Sequence, residues 1–148
     1  MPKVLIVMGS KSDWDIMKKA QDFLEEHGIE AEMHVASAHR NPERVHGLAK
    51  NAEETCQAVI AGAGMAAHLG GVMASLVTIP VIGVPINASL NGLDSLLSTS
   101  QMPPGIPVAT VAINGAKNAA ILAMQIIATS DAAVKQTLLK FRKEMNAA

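Results

Sequence analysis

The sequence predicts one α/β domain in which a parallel sheet carries helices on both faces, and three observations support this fold class. Segments typical of strands and of helices alternate along the chain, as they do when each parallel strand is followed by a helical crossover. Residues 55–93 include no formally charged side chain and are divided by glycine and proline into short apolar runs, which is typical of a sheet buried on both faces. The length of 148 residues suits one domain.

Five short segments are rich in β-branched or small apolar residues and are bounded by glycine, proline or polar residues. The first ends at Gly9, and the second alternates apolar and polar residues as a half-buried strand does. The third and fourth lie in the uncharged stretch and are almost continuously apolar. Strands are therefore predicted over residues 3–8, 30–36, 57–61, 80–84 and 107–113.

Six segments have apolar residues at helical spacing, and several of them are bounded by capping residues. Ser10 or Ser12 caps the first helix, which ends at Gly28, and Pro42 suits the first turn of the second helix. The fifth helix is apolar on most faces and is predicted to be buried, and the last begins at Asp131. Helices are predicted over residues 12–26, 42–54, 66–76, 93–101, 116–128 and 131–147.

Composition excludes several classes of function. The net charge of −1 offers no basic excess for nucleic acid, and an aromatic content of 2% is too low for base-stacking surfaces. Cys56 is the only cysteine, and the five histidines include no pair at helical ligand spacing, so no metal site is expected. Charged residues make up only 17% of the chain, which predicts that part of the surface is covered in a homo-oligomer.

The N-terminal segment has no features of a targeting signal. Its apolar run, residues 4–8, is too short for the core of a signal peptide, and no small-residue cleavage site follows it. Glycine and proline interrupt the uncharged stretch too often for a membrane-spanning helix, which needs about 20 apolar residues. The chain is therefore expected to be cytoplasmic, with no membrane partner.

Polar residues follow the first two predicted strands, where ligands of parallel sheets usually bind. The first group, Gly9-Ser10-Lys11-Ser12-Asp13, combines hydroxyls with a helix N-terminus and suits a phosphate, although helix capping explains it equally well. The second, Ser37-Ala38-His39-Arg40, offers an imidazole that titrates near neutral pH and a guanidinium that suits a phosphate or carboxylate. Position after a strand favours a functional interpretation of both groups.

A glycine-rich turn follows the third predicted strand. Gly62, Gly64 and Ala67 match the dinucleotide-binding pattern, but that pattern needs an acidic residue about 20 positions later, and the next acid is Asp94. The turn can still present backbone N–H groups to a small anion. His68, at the start of an apolar helix, is either a buried structural histidine or a site residue.

Together these motifs resemble one family, the 5-(carboxyamino)imidazole ribonucleotide mutases of purine biosynthesis, over nearly the whole chain. The motifs that carry the resemblance are Gly9-Ser10-Lys11-Ser12-Asp13, Ser37-Ala38-His39-Arg40, Ala61-Gly62-Ala63-Gly64, Ala66-Ala67-His68-Leu69 and Gln101-Met102-Pro103. The resemblance implies a three-layer, flavodoxin-like catalytic domain over residues 1–148. It also implies a homo-octamer, to whose packing the last helix (131–147) contributes, and neither a metal nor an organic cofactor.

The resemblance further implies an isomerase that moves a carboxyl group from the exocyclic nitrogen of the substrate to ring carbon C4. The route passes through aminoimidazole ribonucleotide and carbon dioxide. It assigns catalysis to His39, which would alternate as acid and base, and places His68 close to the reacting centre. The substrate-binding residues that it implies are Ser10, Ser12, Asp13, Ser37, Arg40, Ala63 and Gly64.

The chain also departs from the pattern of that family, and two other functions compete with this one. Met65 stands where the family usually has glycine, and Gly70 where it usually has proline, so Met65 is expected either to crowd the carboxylate-binding turn or to need a different backbone angle. One alternative is the sister class that carboxylates aminoimidazole ribonucleotide with free carbon dioxide, which typically has lysine in place of Arg40. The other is a non-catalytic module that binds a phosphorylated ligand.

Overall fold

A computed structural model describes residues 1–148 and contains one sheet of five parallel strands. The strands are β1 (Lys3–Met8), β2 (Glu30–Val35), β3 (Ala58–Gly64), β4 (Val81–Ile86) and β5 (Ala109–Thr110). Their order across the sheet is β2-β1-β3-β4-β5, and every neighbouring pair is parallel. All five carboxyl ends therefore meet at one edge of the sheet, which confirms the predicted parallel architecture.

Six helices cover the two faces of the sheet. They are α1 (Trp14–Glu26), α2 (Pro42–Thr55), α3 (Leu69–Leu76), α4 (Leu93–Ser100), α5 (Ala116–Ala128) and α6 (Ala132–Ala147). Helices α1, α5 and α6 enclose one apolar core, and α2 and α3 enclose the other. The Thr99 methyl of α4 lies 2.2 Å from where a Cβ on Gly83 would stand and 4.0 Å from where one on Gly70 of α3 would stand, so α4 packs on the same face as α3. No helix of the chain is long and apolar enough to cross a membrane.

The alternation of side chains along each strand explains the two cores. In β1, Val4, Ile6 and Met8 face the core under α1 and α5, whereas Leu5 and Val7 face the core under α2 and α3. All five of these side chains are buried. A strand buried on both faces has no position for a charged residue, which explains the long uncharged stretch of the sequence.

The structure corrects several of the predicted boundaries. Strand β3 ends at Gly64 and not at residue 61, and β4 ends at Ile86 and not at residue 84, so the glycine-rich segment 62–64 that was predicted as a turn belongs to the strand. The helix predicted from residue 66 begins at Leu69, because Met65 has a φ of 55° and His68 has φ −105° and ψ 36°, which are not helical angles. The strand predicted over 107–113 is paired only at Ala109–Thr110. Pro107 offers no N–H to a neighbouring strand, and Asn114, with a φ of 60°, turns the chain away from the sheet.

Candidate active site

The carboxyl ends of β1 to β4 surround a cavity of about 480 Å³. Its lining consists of Gly9, Ser10, Ser12, Asp13, Ser37, Ala38, His39, Arg40, Ala63, Gly64, Met65, Ala67, His68, Leu69 and Ala88. Every residue that the sequence predicted for the site is among them. The fold therefore brings together three loops that are far apart in the sequence.

One corner of the cavity is rich in hydrogen-bond donors. The Ser10 and Ser12 hydroxyls lie 2.9 Å apart, and the Ser12 backbone N–H donates to Ser10 Oγ at 3.3 Å. Arg40 reaches across from the loop after β2: its Nη2 donates to the Gly9 carbonyl at 2.9 Å, and its Nε donates to Ser37 Oγ at 3.3 Å. A guanidinium beside two hydroxyls, at the start of a helix, suits a phosphate.

Asp13 lies at the base of that corner. The residue is only 6% exposed, and no basic side chain forms an ion pair with it. Burial raises the pKa of its carboxyl above 3.8, and a hydrogen bond from the backbone of Ser10 partly offsets that increase. A carboxylate that lacks a cation is a strong acceptor for neutral hydroxyl donors, such as those of a ribose.

Two of the five histidines line the cavity. His39 is exposed on the loop after β2, and His68 is half-buried just before α3. A side chain on Gly71 would place its Cβ 2.5 Å from His68 Nε2, so this glycine makes room for the His68 ring. The other three lie outside the cavity, as the sequence predicted. Among them, His27 uses Nδ1 in a 2.7 Å hydrogen bond with the Phe23 carbonyl.

The glycines that resemble a dinucleotide-binding pattern serve close packing. A Cβ on Gly62 would lie 2.5 Å from Met17 Sδ, and a Cβ on Gly64 would lie 2.7 Å from Ala88 Cβ. A side chain at Gly62 would have to displace the Met17 side chain of α1, and one at Gly64 would collide with Ala88 in the loop after β4. Packing therefore explains these glycines.

Ser95 supports the turn after β3 from below, and its sequence position did not reveal this. Its hydroxyl is fully buried, donates to the Ala63 carbonyl at 2.6 Å and accepts from the Ile86 backbone N–H at 3.1 Å. It therefore joins the ends of β3 and β4 at the edge of the cavity.

One of the motifs that carry the family resemblance lies outside the cavity lining. Gln101-Met102-Pro103 does not line the cavity, although a side chain on Gly71 would stand 3.0 Å from Met102 Sδ. Asn87 donates its backbone N–H to Asn114 Oδ1 at 2.9 Å, which is turn chemistry. No three His, Cys, Asp or Glu side chains come together in a way that could hold a metal ion. Ala88 lines the cavity without having been predicted to do so, and Met65 lines it next to Ala63 and Gly64.

Comparison with known proteins identifies relatives of the whole chain. A family model described as AIR carboxylase matches residues 3–148. An N5-carboxyaminoimidazole ribonucleotide mutase of Pyrococcus abyssi is 58% identical over 147 residues, which are 98% of this chain and 84% of that relative. The Escherichia coli protein of the same name is 50% identical over 145 residues, 95% of this chain and 86% of its own. The crystal structure of Treponema denticola PurE matches with a TM-score of 0.88 at 33% identity, covering 99% of this chain and 92% of that one.

Proposed function

The chain belongs to the AIR carboxylase family, and we propose that it converts N5-carboxyaminoimidazole ribonucleotide into 4-carboxy-5-aminoimidazole ribonucleotide in purine biosynthesis. This is an isomerisation, because the carboxyl group leaves one atom of the substrate and ends on another. The observation that carries it is the match of nearly the whole chain to relatives named for this reaction at 50% to 58% identity.

The polar corner of the cavity supports a nucleotide substrate. Ser10, Ser12 and Arg40 hold the phosphate, because they combine a cation with hydroxyl donors at a helix N-terminus. Ser37 orients the Arg40 guanidinium and contacts the substrate beside it. Asp13 accepts hydrogen bonds from the ribose hydroxyls, which its burial and its lack of a cationic partner support.

The other residues of the cavity lining, His39 and the β3 side, support the chemistry. The N–C bond of the carbamate breaks, its electron pair stays on nitrogen, and nitrogen gains a proton. Carbon dioxide is then attacked by C4, and the proton on C4 is removed. His39 delivers the first proton and accepts the second, since an imidazole can do both near neutral pH. Backbone N–H groups at Ala63 and Gly64 hold the carboxylate, with His68 beside it. Protons and electrons balance, so these steps need no redox cofactor.

The surface supports an assembly of identical chains, which we propose is an octamer in the cytoplasm. Leu93 and Leu97 are 55% and 47% exposed on one face of α4, and Leu139 and Met145 of α6 are 50% and 57% exposed. Apolar side chains exposed to this extent are typical of surfaces that become buried between subunits. The last helix, residues 131–147, takes part in this packing. Sedimentation velocity is expected to show an octamer, and a stable monomer at micromolar concentration would contradict it.

A comparison of two substrates tests the proposed reaction against the carboxylase alternative. The purified chain is given either N5-carboxyaminoimidazole ribonucleotide, or aminoimidazole ribonucleotide with a low concentration of bicarbonate. We expect rapid product formation from the first substrate only. Rapid formation from the second would identify a carboxylase that uses free carbon dioxide. Binding of both nucleotides without product from either would identify a non-catalytic module.

A further inference from the structure

Met65 has a backbone conformation that a side chain normally avoids. Its φ is 55°, in the left-handed region that glycine adopts freely and that costs energy for a residue with a Cβ. Three other non-glycine residues share this feature, and two of them are asparagines, which tolerate it better. Only Met65 and Leu90 place a large apolar side chain on such a backbone.

Packing does not explain why a methionine occupies this position. The side chain is 58% exposed and belongs to neither apolar core, so its burial does not compensate for the backbone strain. Instead it lines the cavity, directly after Ala63 and Gly64 at the end of β3. Strained residues that the fold does not need are concentrated at functional sites.

Met65 also differs from its neighbours around the cavity. The apolar part of the lining consists of alanines and glycines, except for Leu69, which is 1% exposed, and Met65. Met65 is therefore the one long apolar side chain of the lining that is exposed. A thioether side chain is unbranched and flexible, so it can cover openings of irregular shape.

We propose that the Met65 side chain closes the cavity over the carbon dioxide that forms during the reaction. This inference rests on the proposed function. Once the carbamate N–C bond has broken, carbon dioxide is neutral and has no charge by which Arg40 or the backbone N–H groups could retain it. A steric, apolar barrier at the opening slows its escape before C4 attacks it. Exclusion of water by the same side chain protects the intermediate.

Two substitutions separate the side chain of Met65 from its backbone strain. Met65→Gly removes the side chain and relaxes the backbone, whereas Met65→Ala removes the side chain and keeps the left-handed strain. The matched control is Leu90→Gly, because Leu90 has a φ of 48°, is 72% exposed and does not line the cavity. Met65→Leu tests whether another long apolar side chain restores the barrier.

The readout is the fate of the carboxyl group. Each variant receives N5-carboxyaminoimidazole ribonucleotide in labelled bicarbonate, with carbonic anhydrase present to equilibrate the label with dissolved carbon dioxide. Label in the product and free aminoimidazole ribonucleotide are measured at early times by mass spectrometry. For Met65→Gly and Met65→Ala we expect a similar, severalfold rise in both quantities, although the glycine variant melts at a higher temperature. Met65→Leu and Leu90→Gly are expected to match the unmodified chain.

Other results would overturn the inference. If neither glycine nor alanine at position 65 changes label uptake or release of the intermediate, the side chain is not the barrier. If only the glycine variant is affected, the backbone conformation matters and the side chain does not, because alanine keeps the strain of the unmodified chain. A failure of the proposed function gives a different result, because the unmodified chain itself then forms no product or forms fully labelled product.

Discussion

The two sides of the cavity are built differently. On the β1–β2 side, residues 9–13 and 37–40, side chains hydrogen-bond across two loops, since Arg40 contacts both Gly9 and Ser37. On the β3 side, residues 63–69, no side chain of the loop forms such a link. Its shape depends on backbone contacts, on Ser95 beneath Ala63 and on the left-handed Met65.

This difference matches the two tasks of the site. A phosphate and a ribose do not change during the reaction, so groups fixed in advance bind them at little cost in ordering. The carboxyl group moves between two atoms, so the groups around it must accommodate successive structures. The account therefore predicts that changes on the β1–β2 side, apart from His39, weaken binding, and that changes on the β3 side alter the fate of the carboxyl group.

The largest effect is expected from the substitution His39→Asn. His39 is the one residue of the β1–β2 side that is assigned to the chemistry. Turnover is expected to fall roughly 100- to 10,000-fold, because a positioned acid and base contributes that much. Product affinity, measured by calorimetry, is expected to stay within a few-fold. The control is His46→Asn, since His46 is exposed on α2 outside the cavity. Near-normal turnover of the His39 variant would exclude it as the proton carrier.

A smaller effect is expected from Arg40→Ala, which removes the guanidinium that joins the two loops. Loss of charge-assisted hydrogen bonds to the phosphate is expected to raise KM about tenfold to a hundredfold, with a smaller change in kcat. Arg44→Ala is the control, because Arg44 Nε donates to the Val35 carbonyl at 3.0 Å and does not line the cavity. Steady-state kinetics would contradict the assignment if kcat fell while KM stayed constant.

On the β3 side, Ser95→Ala tests the support beneath the turn. It leaves the Ala63 carbonyl and the Ile86 N–H buried without their partner, at a cost of about 1–3 kcal/mol for each such group. Thermal denaturation is expected to show a Tm lower by several degrees. Ser98→Ala is the control, because Ser98 Oγ bonds only within α4, to the Ser95 carbonyl at 3.3 Å. Equal melting of the two variants would show that Ser95 does not hold the strand ends.

The smallest effects are expected at two carboxyl groups, that of Asp13 in the cavity and that of Glu53 outside it. Burial raises the pKa of Asp13 above 3.8, so its ionisation reduces the stability of the folded chain as pH rises from 3.8 through that higher pKa. Hydrogen bonds from the Thr78 hydroxyl and backbone lower the pKa of Glu53 below 4.5. The stability that Glu53 contributes is therefore present above pH 4.5 and is lost as pH falls through its lower folded-state pKa.

Melting curves from about pH 3 to about pH 7 check both directions. As pH rises, the Tm of Asp13→Asn is expected to increase relative to that of the unmodified chain, and the Tm of Glu53→Gln is expected to decrease relative to it. The Glu53→Gln difference is expected to develop as pH rises to 4.5 and to stay constant above it, whereas the Asp13→Asn difference develops in the opposite direction as pH rises from 3.8. Parallel curves would contradict the assigned shifts.

The sequence predicted the fold class and the location of the site because both depend on local patterns. Apolar alternation and capping residues determined the strands and most helices, and the position after each strand identified the loops that meet. The helical spacing of apolar residues placed the start of α3 too early, although Met65 in place of the family's usual glycine did indicate an unusual backbone angle there. The sequence also missed the role of Ser95, because the groups that Ser95 joins come from β3 and β4 and meet only in the folded chain.

The most direct test of the account follows the carboxyl group through the reaction of the unmodified chain. N5-carboxyaminoimidazole ribonucleotide is supplied in labelled bicarbonate, and the product is analysed at early times against a reaction without enzyme. The account predicts an unlabelled product carboxylate, because the group leaves nitrogen and reaches C4 within one closed cavity. A product that carries the label from its first appearance would contradict it, since the carboxyl group would then come from solution.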